Sequence, residues 1–302
     1  MAEQSNDHGN SGVIDRLMQY LPARLRPGTA VVPVVRLSGV IGAVTPLRPG
    51  MTLAGVAKVL ERAFSVRNAK AVALVINSPG GSPVQSRQIY LRIKQLAAEK
   101  KLPVLVFVED VAASGGYMIA CAGDEIVCDP SSILGSIGVV GGSFGFQEAI
   151  KRLGIERRLY TAGAHKAMLD PFLPENPEDV AKLKAIQREI HQIFISLVKD
   201  SRGSRLKAAD DTLFTGEYWA GDTAVALGLA DGIGDLRSTL RARYGEKVLT
   251  PVIAQPTGLL SGLLGRKSPG AGQLSALGAM GSLPDELISA IETRAIWAKF
   301  GF

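Results

Sequence analysis

The stretch KLPVLVFVEDVAASGGYMIACAGDEIVCDPSSILGSIGVV, Lys101 to Val140, decides the fold. The run Val104 to Val108 is short, apolar and mostly β-branched, as expected of a parallel strand covered on both faces. Beyond it lie Ala113, Ser114, Gly115, Gly116 and Tyr117, a small serine between alanine and paired glycines, and then a helical stretch, Met118 to Ala122. Such a turn holds a hydroxyl at a helix N-terminus where the backbone can approach closely. Ser114 admits two readings. It is either an N-cap, with the glycines permitting the turn, or a nucleophile whose neighbouring N–H, that of Gly115, donates to an oxyanion.

Upstream, Val31 to Gly42 reads as a first strand with Pro33 near its start, Leu53 to Phe64 as a helix with Val56, Val59, Leu60 and Phe64 at helical spacing, and Val72 to Asn77 as a second core strand. That strand ends in Ser78, Pro79, Gly80 and Gly81, a second glycine turn before the helix Gln85 to Ala98. Two such turns on neighbouring strands converge at the carboxyl edge of the sheet, where open α/β folds bind ligands.

Downstream, Phe146 to Leu153 reads as helix and Ile155 to Thr161 as strand. Glu178 to Asp200 is a long amphipathic helix, with Val180, Leu183, Ile186, Ile190, Ile193, Phe194 and Leu197 forming a face suited to core or subunit interface. After Leu236 come a small helix, a strand VLTPVIA, the stretch GRKSPGAGQ and a last amphipathic helix, Pro284 to Lys299. The expected organisation is a flexible segment over residues 1–29, a catalytic unit over 30–236 and an extension over 237–302, with an amphipathic helix expected at Gly12 to Leu25.

Composition narrows the function. With 46% hydrophobic residues in 302, the chain has ample material for a large α/β core. The net charge of +6 is spread without a basic block or interleaved aromatics, which gives nucleic-acid binding no support. The same charge allows a weak attraction to anionic membrane surfaces. Two cysteines, Cys121 and Cys128, form no CxxC pair and have no histidine at ligand spacing, so neither a zinc site nor a disulfide framework is expected. The polar, acidic N-terminus lacks the pattern of a signal peptide, and no apolar run reaches membrane-spanning length, so the expected location is cytoplasmic.

A serine hydroxyl needs a base. Among three histidines, His8 lies in the polar tail and His191 at the polar edge of a helix, which leaves His165 as the candidate for a Ser/His arrangement. Its neighbour Lys166 competes, since a lysine serves as base where apolar surroundings disfavour its charge, and Ala162, Gly163, Ala164, Ala167 and Met168 would supply them.

ASGGY at Ala113 to Tyr117, the upstream SPGG, GSIGV at Gly135 to Val139 and TGEYWAGDTAVALGLAD at Thr215 to Asp231 together resemble the signal peptide peptidase A (protease IV) family. The likeness covers roughly Val31 to Leu236. It implies an α/β fold like that of the Clp protease subunit and the crotonases, a superhelix of ββα units with a parallel sheet, and a Ser/Lys dyad. Carried over by position, the nucleophile falls on Ser114, the base on Lys166, the serine that bonds the lysine on Ser136, and the oxyanion donors on the N–H groups of Gly81 and Gly115. The resemblance further implies a homo-oligomer that cleaves extended apolar peptides, such as signal peptide remnants or unfolded proteins, without a cofactor. Two other readings share parts of this pattern: a crotonase-type hydratase or hydrolase acting on coenzyme A thioesters, and a membrane-surface adaptor using the tail residues Leu287, Ile288, Ile291 and Trp297.

Overall fold

Alternation of apolar side chains across a central sheet organises the molecule. The computed structural model describes residues 29–42, 50–254, 294–295 and 297–301. The expected helix at Gly12 to Leu25, the stretch GRKSPGAGQ, and Leu287, Ile288 and Ile291 lie outside the described residues. The sheet is built on β1 (Val34–Ser38), β2 (Val72–Ser78), β3 (Val104–Ala113), β4 (Glu125–Cys128) and β7 (Gly232–Ile233), in the spatial order β1-β2-β3-β4-β7. All of these neighbours pair in parallel. A short pair, β5 (Ile133–Gly135) and β6 (Tyr218–Ala220), joins beside β3, with β5 parallel to β3 and antiparallel to β6.

Helices separate the strands that pair in parallel, as the connection requires. They are α1 (Leu53–Phe64), α2 (Pro83–Lys100) and α3 (Gly115–Ala120), then α4 (Gln147–Arg152), α5 (Pro177–Arg202), α6 (Asp210–Leu213), α7 (Gly221–Ala226) and α8 (Leu236–Tyr244). The α/β class with a parallel sheet read from the sequence is the architecture observed. Strand residues face opposite layers at period two. Val104, Val106 and Val108 join Leu74, Ile76, Leu60, Phe64, Ile89 and Ile93 in one buried cluster. Leu105 and Phe107 turn the other way, with Ala73, Val75, Val34 and Leu240 of α8. The packed body therefore continues past Leu236: Leu240 is fully buried, and Leu249 and Val252 form single bridges with Val31 and Val34.

Strand β3 runs five residues beyond the expected end at Val108 because it changes partner. Leu105 to Val108 pair with β4, whereas Val111 to Ala113 pair with β5. At the junction the register against β2 shifts, with Ile76 opposite Val108 but Ser78 opposite Ala112. The buried Ser132 hydroxyl donates to the carbonyl of Glu109 at 2.6 Å and secures the bend. Such irregularities re-aim the residues beyond them, and here the strand delivers Ser114 at its end.

The expected strand at Ile155 to Thr161 does not form. These residues are exposed and take part in no strand pairing. An isolated strand has no stability without a neighbour to accept its ladder, and the charged triplet Glu156, Arg157 and Arg158 makes ion pairs at the surface. Helix α5 obeys its sequence pattern only at its C-terminal half, where Phe194, Leu197 and Val198 are buried. Ile186 and Ile193 remain exposed.

Candidate active site

Ser114 occupies the N-cap position of α3 with φ 51° and ψ −122°, and its hydroxyl makes no capping hydrogen bond. Ser114 thus holds the N-cap position without its side chain performing the cap. A non-glycine residue in this backbone region costs about 1–3 kcal/mol, which the surroundings must over-determine. They do so through the main chain: the Ser114 amide donates to the Gly135 carbonyl at 2.8 Å, and its carbonyl accepts from Met118 N–H at 3.0 Å. Beneath the turn, the fully buried Tyr117 donates its phenol proton to the Leu229 carbonyl at 2.8 Å. Burial raises that phenol well above its ordinary value, so it stays a neutral donor.

Helix α3 can approach β2 and α2 only because its first residues lack side chains. A Cβ on Gly115 would lie 2.3 Å from Ser86 Oγ, and one on Gly116 would lie 2.4 Å from the Ser78 carbonyl oxygen. The Gly115 N–H starts the helix and has no partner within it. It faces Gly80, whose Cβ, if present, would lie 2.9 Å from the Gly115 nitrogen and 2.8 Å from Ser114 Cβ. Gly81 is fixed from its other side. Ile41 accepts from Ser82 N–H and donates to the Gly80 carbonyl, each at 2.8 Å. In a parallel bridge the central residue's own N–H points to the opposite edge, and for Gly81 that edge is the cavity that Ser114 also lines. Gly81 thus lines the cavity together with Ser114, and the Gly115 nitrogen follows Ser114 at the first position of α3.

Ser136 lines the same cavity, also with a left-handed φ of 53°. Its amide donates to the Glu217 carbonyl at 2.6 Å, and Gly138 N–H donates back to the Ser136 carbonyl at 2.9 Å. The half-buried His191 donates from Nε2 to the Ile137 carbonyl at 3.0 Å, tying α5 to the loop that carries Ser136. The sequence reading placed His191 at the polar edge of a helix, with no partner named. Helical spacing alone could not show that the polar edge of α5 meets a loop 54 residues earlier.

The structure does not bring Lys166 to Ser114 in the same way. Lys166 is exposed, lies in an irregular turn, and is absent from the cavity lining; His165 is exposed beside it. The small residues around it are themselves exposed or half-exposed, so they do not form the apolar enclosure their composition suggested. The whole segment from Val140 to Leu173 carries uncovered apolar side chains, with Val140 80%, Phe144 74% and Tyr160 89% exposed.

The cavity measures about 310 Å³ and is lined by Pro79, Gly81, Pro83, Ser114, Ser136 and the chain from Gly138 to Val140. Lys299 and Phe300, from the far end of the chain, also border it. Cys121 and Cys128 are buried free thiols away from it. Burial pushes Cys121 up to about 12.

Comparison with known proteins places the chain in a family. Residues 96–248 match the model of Peptidase family S49, a span that contains Ser114, Gly115, Ser136 and Lys166. The chain belongs to that family. It is 54% identical over 290 residues to a Brucella abortus protein named Na(+)/H(+) antiporter NhaA, the match covering 94% of this chain and 39% of that protein. It therefore spans well under half the length of that relative. A Methanocaldococcus jannaschii protein named as a protease is 36% identical over 186 residues, covering 60% of this chain and 57% of the relative. Among solved structures, a membrane-bound stomatin-specific protease aligns over 75% of this chain and 95% of its own at 17% identity, with a TM-score of 0.45.

Proposed function

We propose that the chain is a serine endopeptidase that cleaves extended, apolar-rich peptides, such as signal peptide remnants or unfolded proteins, through Ser114. The observation that carries this reading is the strained, uncapped Ser114 beside the Gly81 and Gly115 amides. Strain of this kind concentrates where function requires it, and preorganised N–H donors stabilise a tetrahedral oxyanion by several kcal/mol. Membership of a peptidase family supports the same reaction.

In the proposed mechanism, neutral Lys166 removes the Ser114 hydroxyl proton while Oγ bonds to the scissile carbonyl carbon. The carbonyl electrons move onto the oxygen held by Gly81 and Gly115. Collapse breaks the C–N bond, and the lysine's proton goes to the departing amine. Water, deprotonated by the same lysine, bonds to the acyl carbon; the Oγ–C bond breaks, the acid product leaves, and the lysine returns the proton to Ser114 Oγ. Ser136 would orient the lysine. Because Lys166 lies in an exposed segment rich in uncovered apolar residues, the dyad is proposed to operate in a homo-oligomer, where copies of the chain cover this segment and withdraw the lysine from water.

The antiport named for the Brucella relative is not carried over. Among the described residues no helix is long and apolar enough to cross a membrane.

The test compares hydrolysis of an unfolded apolar-rich polypeptide by the wild type, Ser114→Ala and Lys166→Met, with the mass of each measured by light scattering. Loss of turnover in both variants within an intact oligomer is the expected result. Full activity of Lys166→Met would remove the dyad, and a monomeric active enzyme would remove the assembly.

A further inference from the structure

The last described residues of the chain, Trp297 to Gly301, end against the cavity of Ser114. Phe300 is only 8% exposed and shares a small apolar cluster with Val111 and Ala113, against which Ile133 and Trp297 also pack. Ala113 is the residue before Ser114, and Val111 and Ile133 are register partners on β3 and β5. The hollow that receives Phe300 is thus built on the two strands that deliver Ser114 and Ser136. Tyr218 of β6 closes it, its ring meeting that of Phe300 edge-on at 5.0 Å. The Tyr218 hydroxyl donates to the Lys299 carbonyl at 2.9 Å.

This combination is the one by which a cleft reads a peptide. A main-chain hydrogen bond gives generic affinity and an apolar pocket selects a side chain. Covering Phe300 removes a large aromatic surface from water, yet Lys299 beside it remains exposed. One face of the turn is therefore docked and the other open, as for a ligand lying in a groove.

We infer that the turn at residues 297–300 is an internal ligand of the substrate cleft, with Phe300 filling an aromatic-accepting subsite formed by Val111, Ala113, Ile133 and Tyr218, and that it must leave before a peptide lies across Ser114. This rests on the peptidase reading of the site. Being part of the same chain, the turn competes at a fixed effective concentration whatever the protein concentration.

The experiment uses the full chain with Ser114→Ala, which leaves the subsite intact and prevents cleavage. A fluorescent peptide of residues 294–302, RAIWAKFGF, is titrated into this protein with and without Phe300→Asp, and binding is read by anisotropy. Thermal unfolding of both proteins checks that each is folded, and Phe300→Ala serves as a milder second variant. At least tenfold tighter peptide binding once Phe300 is replaced is expected, with no binding by a peptide bearing Asp in place of the phenylalanine that corresponds to Phe300. Equal affinity for both proteins, or no binding to either, would overturn the inference. In the active chain, Phe300→Asp should lower KM for an unfolded polypeptide severalfold and leave kcat in place. A raised KM would mean that Phe300 is a wall of the cleft rather than its occupant. If neither the wild type nor any variant hydrolyses peptides, the peptidase reading fails while the anisotropy result still decides the docking.

Discussion

The amide of Ser114 donates to the carbonyl of Gly135 at 2.8 Å, so the proposed nucleophile is locked by its main chain to the strand that ends one residue before Ser136. The two serines are consequently held by adjoining main-chain positions. Both hold left-handed φ angles, 51° and 53°, and neither can relax without breaking the same short ladder between β3 and β5. Each serine's conformation is a condition of the other's.

Replacement of Gly135 tests that coupling. Its φ is +108°, and an added Cβ would stand 2.9 Å from the Trp219 ring. Gly135→Ala should destabilise the fold by about 1–3 kcal/mol, the usual cost of forcing a methyl into a filled space. It should also lower kcat through displacement of both serines. Denaturant midpoints together with steady-state kinetics read the two effects. Unchanged kcat in a folded variant would mean that Ser136 is positioned independently of Ser114.

Gly81 and Gly142 provide a contrast within one experiment. A Cβ at Gly81 would fall 2.0 Å from the Ile41 carbonyl oxygen at a φ of +144°, whereas one at Gly142 would meet nothing within 4 Å. Gly81→Ala should abolish hydrolysis and cost about 1–3 kcal/mol or more. Gly142→Ala should alter stability by less than about 0.5 kcal/mol, as for an open surface position. Melting curves and turnover of the two variants side by side settle the comparison.

The buried guanidinium of Arg202 forms two hydrogen bonds with Asp231, at 2.8 and 2.9 Å, and a third with the Gly228 carbonyl. Burial acts to raise the Asp231 carboxyl, but the Arg202 hydrogen bonds, the Ile126 amide and the nearby positive charges outweigh it and hold the group below its ordinary value. A lowered folded-state value contributes stability above the unfolded value near 3.9, which is lost as pH falls through the folded one. Asp231→Asn should therefore flatten the acid side of the stability profile below about pH 4. Arg202→Met, which strands a partly buried carboxylate, should cost about 3 kcal/mol at pH 7. Urea melts between about pH 2.5 and 7 would show an undiminished acid slope in Asp231→Asn if the ion pair is not its source.

Burial raises Cys121 to about 12 and Cys128 to about 11. Since only thiolates react, a disulfide reagent at about pH 8 should label neither in the native protein and both in urea. The labelling rate should track global unfolding. Rapid native-state reaction of Cys121 would show that α3 opens locally.

Much of this architecture was legible in the chain because its signals are local. The apolar run from Val104, the helix from Leu53 to Phe64 and the two glycine turns each announce themselves within a few residues. The features that stayed hidden depend on contacts between distant segments. Strand β3 lengthens because β5 supplies a new edge, a fact absent from the β3 sequence itself. Ile155 to Thr161 has the composition of a strand but no edge to join. The small residues flanking Lys166 suggested an enclosure that the folded chain leaves open. The placement of Phe300 beside Ala113 joins positions 187 apart in the numbering, with no periodicity or motif to link them.

The donors assigned to the oxyanion are main-chain N–H groups of Gly81 and Gly115. No change of amino acid short of proline can delete such a donor. Heredity can therefore damage this part of the site only by displacing the backbone, through the volume of an added side chain or, at Gly81, through a φ of +144° that side chains resist. The vulnerability of the centre lies in its geometry, while its chemistry is guarded by the one feature every residue shares.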